Sequence, residues 1–306
     1  MSAALKNLGQ SLARIKPLSS PAAASRVALT YELHSLSPAG CKNLDADNHV
    51  PIIFLHGFLG SKRENRRMSK LLARDLSRPV FAVDLRNHGD SGHHLKHDYM
   101  EMALDVASFM QSHGMERATL IGHSMGAKTA LTLALQLPDL VSDVVAIDNC
   151  PIHLPLTDDF RGYLKGMAKV RDAKVKTHHE AEMILREYED SLSIRLWLLS
   201  NFVKDSDTPY LRSRVPLDIL NTALSPLGDF SHKNETVKFH NPTLFIRALQ
   251  SHYIPENALP LISSFFPQSR IVNIDCGHWV VQERPEELKS AVVDFLKTKP
   301  QRSLTA

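Results

Sequence analysis

Gly122-His-Ser-Met-Gly126 stands between the apolar run Ala118-Thr-Leu-Ile121 and the helix-forming run Ala127-Lys-Thr-Ala-Leu-Thr-Leu-Ala-Leu-Gln-Leu137. That order predicts a buried strand, a sharp turn and a helix, with Ser124 at the tip of the turn. Holding a serine hydroxyl out on so tight a turn forces the backbone into a strained region. The residues two before and two after must lack bulk so that the helix can pack close to the strand, and both are glycine. Chance supplies such a pentapeptide in many chains. The flanking strand and helix make it specific.

Outward from this turn, short apolar runs alternate with helical patterns, which predicts a mostly parallel sheet covered on both faces. The runs are Pro51–Leu55, Pro79–Val83, Ala118–Ile121, Val141–Ile147, Pro242–Arg247 and Arg270–Ile274. Helices are expected from about Arg63 to Leu76 and from the capping box Asp98-Tyr-Met-Glu101 to about Gly114. A final helix should open at Pro285, with Leu288, Val292 and Phe295 facing inward. From Pro151 to Lys233 the alternation breaks into charged helical segments (Phe160–Lys174, His179–Tyr188 and Leu192–Val203) with no convincing strand between them. The expected organisation is a sheet domain over 31–150 and 234–300, with a helical lid inserted at 151–233.

A serine hydroxyl is a poor nucleophile unless a base takes its proton, and the base needs an acid to orient it. In the α/β-hydrolases, which this strand–turn–helix resembles, the chain order is Ser, acid, His. Of the sixteen histidines, His278 in Asp275-Cys-Gly-His-Trp279 has the right position. It follows the last predicted strand, on a loop at the same sheet edge as Ser124 if all strands run parallel. The acid is less obvious. The loop after the preceding strand, Arg247-Ala-Leu-Gln-Ser-His-Tyr-Ile-Pro-Glu256, has no aspartate, and His252 stands where one would be sought. Asp148 ends the strand beside that of Ser124, roughly 5 Å away, and is preferred to Glu256; as a bland alternative it could simply cap a helix. Oxyanion donors are expected from the backbone N–H of Met125 and, in the turn His56-Gly57-Phe58, from that of Phe58. His56 is expected to support the site by hydrogen bonding.

Together, His56-Gly-Phe-Leu-Gly60, Asp84-Leu-Arg-Asn-His-Gly-Asp-Ser91, Gly122-His-Ser-Met-Gly-Ala-Lys128, Val145-Ala-Ile-Asp148 and Gly277-His-Trp279 resemble one branch of the α/β-hydrolase superfamily. That branch holds the mitochondrial abhydrolase-domain-eleven proteins, small bacterial esterases and fungal ethanol acetyltransferases. The similarity covers about residues 50 to 298. It implies an α/β fold with a mostly parallel, eight-stranded-type sheet, helices on both faces and an inserted helical lid. It also implies hydrolysis of carboxylic esters or thioesters through an acyl-enzyme, or passage of the acyl group to an alcohol. In that branch the acid can follow the strand after Ser124, which agrees with Asp148. Ala127 stands where many animal members carry glycine. The partner called for is a small acyl substrate, with no cofactor and no metal.

Charge and composition narrow the classes further. Residues 1–31 carry Lys6, Arg14, Lys16 and Arg26 without an acid, +4 against +3 for the whole chain, so the rest is −1. No basic block suggests nucleic-acid binding. Leu5, Leu8, Leu12 and Ile15 recur at helical spacing in this Ser-rich leader, the pattern of a mitochondrial transit peptide, with a plain tail in the cytoplasm as the alternative. Three scattered cysteines (Cys41, Cys150, Cys276) suit a reducing compartment. No apolar run approaches the roughly 20 residues of a membrane span. His93, His94, His97 and Asp98 crowd together, but solvated loop residues are the simpler account of them than a metal site. Lys128, in the first turn of the helix after Ser124, is expected to cap or pair locally.

Overall fold

A computed structural model describes residues 25–36, 50–230 and 237–298. Residues 1–24 of the expected leader, Cys41 and the end of the expected insert at 231–233 lie outside the described residues, whereas 25–30 are described and Arg26 pairs with Glu101 at 2.6 Å. Among those described, seven strands form one sheet in the order β1-β3-β2-β4-β5-β8-β9. They are β1 (Tyr31–His34), β2 (Ile52–Leu55), β3 (Val80–Val83), β4 (Ala118–His123), β5 (Val141–Ile147), β8 (Thr243–Ala248) and β9 (Ser269–Ile274). Helices α1 (Arg66–Leu76), α2 (Tyr99–Ser112) and α3 (Met125–Gln136) alternate with the early strands.

The sheet is mostly parallel, as the apolar runs predict, and its one antiparallel strand lies at the edge. β1 pairs antiparallel with β3, Tyr31 facing Val83 and His34 facing Val80. Its sequence, Tyr-Glu-Leu-His, carries little apolar signal because an edge strand is only half buried. The remaining pairs, from β3–β2 through β8–β9, are all parallel. The carboxyl ends of β2, β4, β5, β8 and β9 therefore open at one edge.

The central strands read as unbroken apolar runs because both their faces are covered. In β2, Ile53 and Leu55 join the core beneath α2 and α3, whereas Ile52 and Phe54 point to the opposite face, with Leu72 of α1 and with Leu288 and Val292 of α10 (Pro285–Lys297). Phe295 is only partly buried against that second face. Asp98 caps α2 by accepting from the Glu101 N–H. The reciprocal half of the expected capping box is replaced: the Glu101 carboxylate instead takes Ser25 and Arg26.

Residues 151–230 pack over the open edge through α4 (Asp158–Asp172), α5 (His178–Leu185), α6 (Leu192–Leu199) and α7 (Leu217–Ala223). The helix anticipated through Val203 stops at Leu199. Phe202–Lys204 (β6) pairs instead with Leu211–Ser213 (β7) in a two-stranded ribbon. With Phe202 and Leu211 buried at its ends, each strand is three residues long, too short for alternation to be visible. Three more helices escape sequence patterning because they are also short, α7 in the insert, α8 (Leu259–Phe265) between β8 and β9 and α9 (Val280–Glu283) before α10. No helix among the described residues is long and apolar enough to cross a membrane.

Candidate active site

β4 delivers the chain to Ser124, whose φ of 53° and ψ of −113° lie outside the ordinary regions. The two glycines have separate reasons. A Cβ on Gly122 would lie 2.2 Å from the Gly126 carbonyl oxygen, and one on Gly126 would lie 2.4 Å from that of Leu55. Backbone meets backbone at both points, so no side chain fits. The Ser124 N–H donates to the Ile147 carbonyl at 2.9 Å, which ties the turn to the end of β5.

The next residue along β5 is Asp148, fully buried and itself at positive φ. Its N–H donates to the Ile246 carbonyl at 2.8 Å, and its Oδ1 accepts from the Ala248 N–H at 3.2 Å. Oδ2 lies 2.7 Å from His278 Nδ1, and His278 Nε2 lies 2.9 Å from Ser124 Oγ. A carboxylate can only accept, so Nδ1 carries the proton and Nε2 turns its lone pair to the hydroxyl. Residues 124, 148 and 278, on three different loops, thus form one hydrogen-bonded chain.

Glu256 is elsewhere: 77% of its side chain is exposed, and it pairs with Arg247 at 2.6 Å. His252 is exposed and stacks on Tyr253, ring centroids 4.5 Å apart. The N–H groups of Phe58 and Met125 have no hydrogen-bond partner among the described residues. Both residues line one narrow cleft with Ser124. Met125 is the first residue of α3, where an N–H has no partner within the helix.

The turn that carries Phe58 is pinned by neutral imidazoles. His56 Nε2 accepts from the Leu85 N–H at 3.0 Å, and His88 Nε2 accepts from the Leu59 N–H at 3.1 Å. Burial lowers the pKa of both rings, that of His88 well below its usual value. His97 is held down to about 3 by burial and by Arg86. The histidines that crowd together in sequence go separate ways in space. His93 Nε2 bonds the Arg214 carbonyl, His94 Nδ1 accepts from the Lys96 N–H, His97 meets Asn87, and Asp98 caps α2.

Sequence patterning misses several residues here. His278 lies between two rings, Tyr253 (centroids 4.1 Å apart, planes 26°) and His123 (4.9 Å, 37°). His123 also meets the His278 carbonyl through Nε2 at 2.8 Å, and burial with the neighbouring His278 pushes its pKa down to about 4. Trp197 of α6 donates to Glu64 at 2.8 Å and packs edge-on against Trp279, so the insert touches the residue next to His278. Lys128 does not pair locally. It is buried and reaches the carbonyls of Gly228 and Asp229, a hundred residues away. Its spacing from Ser124 shows on the helix, but nothing in the sequence signals what lies above it.

Comparison with known proteins agrees with this geometry. The family profile described as alpha/beta hydrolase fold matches residues 50–285. An abhydrolase domain-containing protein of Schizosaccharomyces pombe is 37% identical over 271 residues, spanning 88% of this chain and 97% of its own. Ethanol acetyltransferase 1 of Cyberlindnera fabianii is 30% identical, with 92% and 90% covered. Among solved structures, a marine microorganism esterase superposes with a TM-score of 0.80 at 26% identity, covering 88% of this chain and 99% of its own.

Proposed function

This chain belongs to the α/β-hydrolase fold family, and from that premise we propose that it cleaves carboxylic esters or thioesters through an acyl-enzyme on Ser124. The observation that carries this is the continuous hydrogen-bonded chain Asp148–His278–Ser124, 2.7 and 2.9 Å long. As Ser124 Oγ attacks the acyl carbon, His278 Nε2 takes the hydroxyl proton, and buried Asp148 stabilises the imidazolium. The carbonyl oxygen, now negative, meets the N–H groups of Phe58 and Met125. Collapse of the tetrahedral adduct breaks the bond to the leaving oxygen or sulfur, which receives the proton from His278. Water then enters, His278 removes its proton, and attack on the acyl-enzyme releases the acid and restores Ser124.

A fluorophosphonate probe and a panel of short acyl esters test this directly. Wild type should be labelled and active, and Ser124→Ala neither. Equal labelling of the two proteins would overturn the proposal.

The ethanol acetyltransferase relative favours a second acceptor, an alcohol attacking the same acyl-enzyme. The two reactions share every catalytic group and differ in how well residues 151–230 keep water from the acyl-enzyme. Incubating an acetyl thioester with and without ethanol, then weighing ethyl acetate against acetate, separates them. Only trace ester would leave hydrolysis as the reaction. The leader's pattern supports a mitochondrial location. A fluorescent protein fused behind residues 1–31 that stayed in the cytoplasm would refute that assignment.

A further inference from the structure

Lys128 is the only charged residue among the described residues that line the cleft holding Ser124. It sits one helical turn beyond Ser124 on α3, and its own N–H donates to the Ser124 carbonyl at 3.2 Å. The side chain is 1% exposed. Its Nζ contacts are the carbonyl oxygens of Asp229 at 3.2 Å and Gly228 at 3.5 Å, and the ring of Tyr99, whose centroid is 5.4 Å away. All three are dipolar or quadrupolar partners without net charge. No carboxylate forms an ion pair with it among the described residues.

The Asp229 carboxylate attracts Lys128 only from beyond ion-pair distance, and a buried ammonium with no closer counter-ion among the described residues is costly. Consistent with that cost, burial draws the pKa of Lys128 down to about 8. The rest of the lining is mostly apolar, with Leu154, Leu156, Phe160 and Leu227 offered to methylene groups. Asn149 also lines the cleft, and its Oδ1 is already taken by the Cys150 N–H, so a ligand would meet its amide NH₂. An apolar cleft with an ammonium and an amide donor beside the nucleophile is built for an acyl chain whose far end accepts hydrogen bonds and carries negative charge.

Resting on the serine-hydrolase assignment above, we propose that the cleft selects acyl groups that end in a carboxylate, with Lys128 as their counter-ion. The substrates would be half-esters or half-thioesters of short dicarboxylic acids. The acyl chain runs from Ser124 along the apolar wall, and its terminal carboxylate takes over a donor of Lys128. The bond broken and the bond formed are those of ordinary acyl transfer, and the terminal carboxylate takes no part in them.

The test compares two esters of one shape, monoethyl succinate and ethyl 4-methylpentanoate, in which an isopropyl group replaces the carboxylate. Ethanol release is followed for both. Wild type should favour the succinate in kcat/KM by about tenfold or more, the size of a charge-assisted contact. Free succinate should likewise compete better than 4-methylpentanoate against p-nitrophenyl acetate. In Lys128→Met the ratio of the two ethyl esters should fall by about the same factor, whatever the variant's absolute rate. A wild-type ratio near one, or favouring the neutral ester, overturns the proposal even if Lys128→Met fails to fold. An unchanged ratio in a folded Lys128→Met does so as well and leaves Lys128 as a tie to the insert. Hydrolysis of p-nitrophenyl acetate, lost in Ser124→Ala, marks the serine chemistry as intact in those cases. If that hydrolysis does not depend on Ser124, the serine assignment fails and takes this proposal with it.

Discussion

The ring of Tyr253 lies almost face to face with the imidazole of His278, centroids 4.1 Å apart and planes 26° from parallel. Tyr253 stands on the loop after β8, in the stretch where an acid would first be sought. The loop's place in the site is filled by a flat ring that limits how His278 can tilt between Asp148 and Ser124. The negative face of an aromatic ring also favours the imidazolium that the proposed acyl transfer would form.

Removing the ring should therefore slow the chemistry while the nucleophile remains. Tyr253→Leu is expected to lower kcat for a short ester by about tenfold, the scale of one aromatic contact, whereas Tyr253→Phe keeps most of it. Steady-state kinetics with active-site titration checks this. A Leu variant with wild-type kcat would show the stack to be incidental.

Asp148 fixes the proton on Nδ1 of His278, so Asp148→Asn should invert the tautomer and lower kcat by roughly 10³- to 10⁴-fold. Glu256→Gln should leave kcat unchanged, because its partner is Arg247 at the surface. The same ester assay on both variants decides between the two acids, and the opposite ranking would reassign the role.

Gly126→Ala puts a Cβ 2.4 Å from the Leu55 carbonyl oxygen, on rigid backbone. α3 would have to move off the sheet, and a loss of about 3 kcal/mol is expected. Urea unfolding of the variant measures it. Loss of activity at unchanged stability would point to Ser124 alone and not to packing.

Glu64 accepts from Trp197 where the insert meets the core. Burial pushes its pKa up to about 8 from 4.5. A raised carboxyl pKa means that the folded state binds a proton the unfolded state has already lost. The stability it lends is complete below pH 4.5 and is lost as pH rises through about 8. Glu64→Gln keeps the acceptor for Trp197 and removes the titration. Relative to wild type it should gain stability between pH 5 and pH 8, on the order of a few kcal/mol. Thermal or urea unfolding at pH 5, 7 and 9 reads this out. Parallel curves for the two proteins would exclude a titrating Glu64.

Where the chain repeats a local rule, the sequence is legible. β2, β4 and β5 announce themselves because both faces are buried, and α10 because Pro285 and its inward residues are spaced for a helix. β1, β6 and β7 are silent, being an exposed edge strand and two strands of three residues each. Chain order and strand ends also point to Ser124, Asp148 and His278 without any knowledge of distance, since the carboxyl ends of parallel strands share an edge.

What the amino-acid sequence determined by itself was the strained serine turn and the parallel layering around it, because glycine spacing and buried apolar runs act over a few neighbouring residues. Only the tertiary structure decided that Tyr253 and His123 flank His278, that Trp197 meets Glu64, and that Lys128 lies buried in the cleft beneath Gly228 and Asp229. Those pairings join residues up to 155 positions apart. Their energies come from burial and ring contact, which no local pattern of residues encodes.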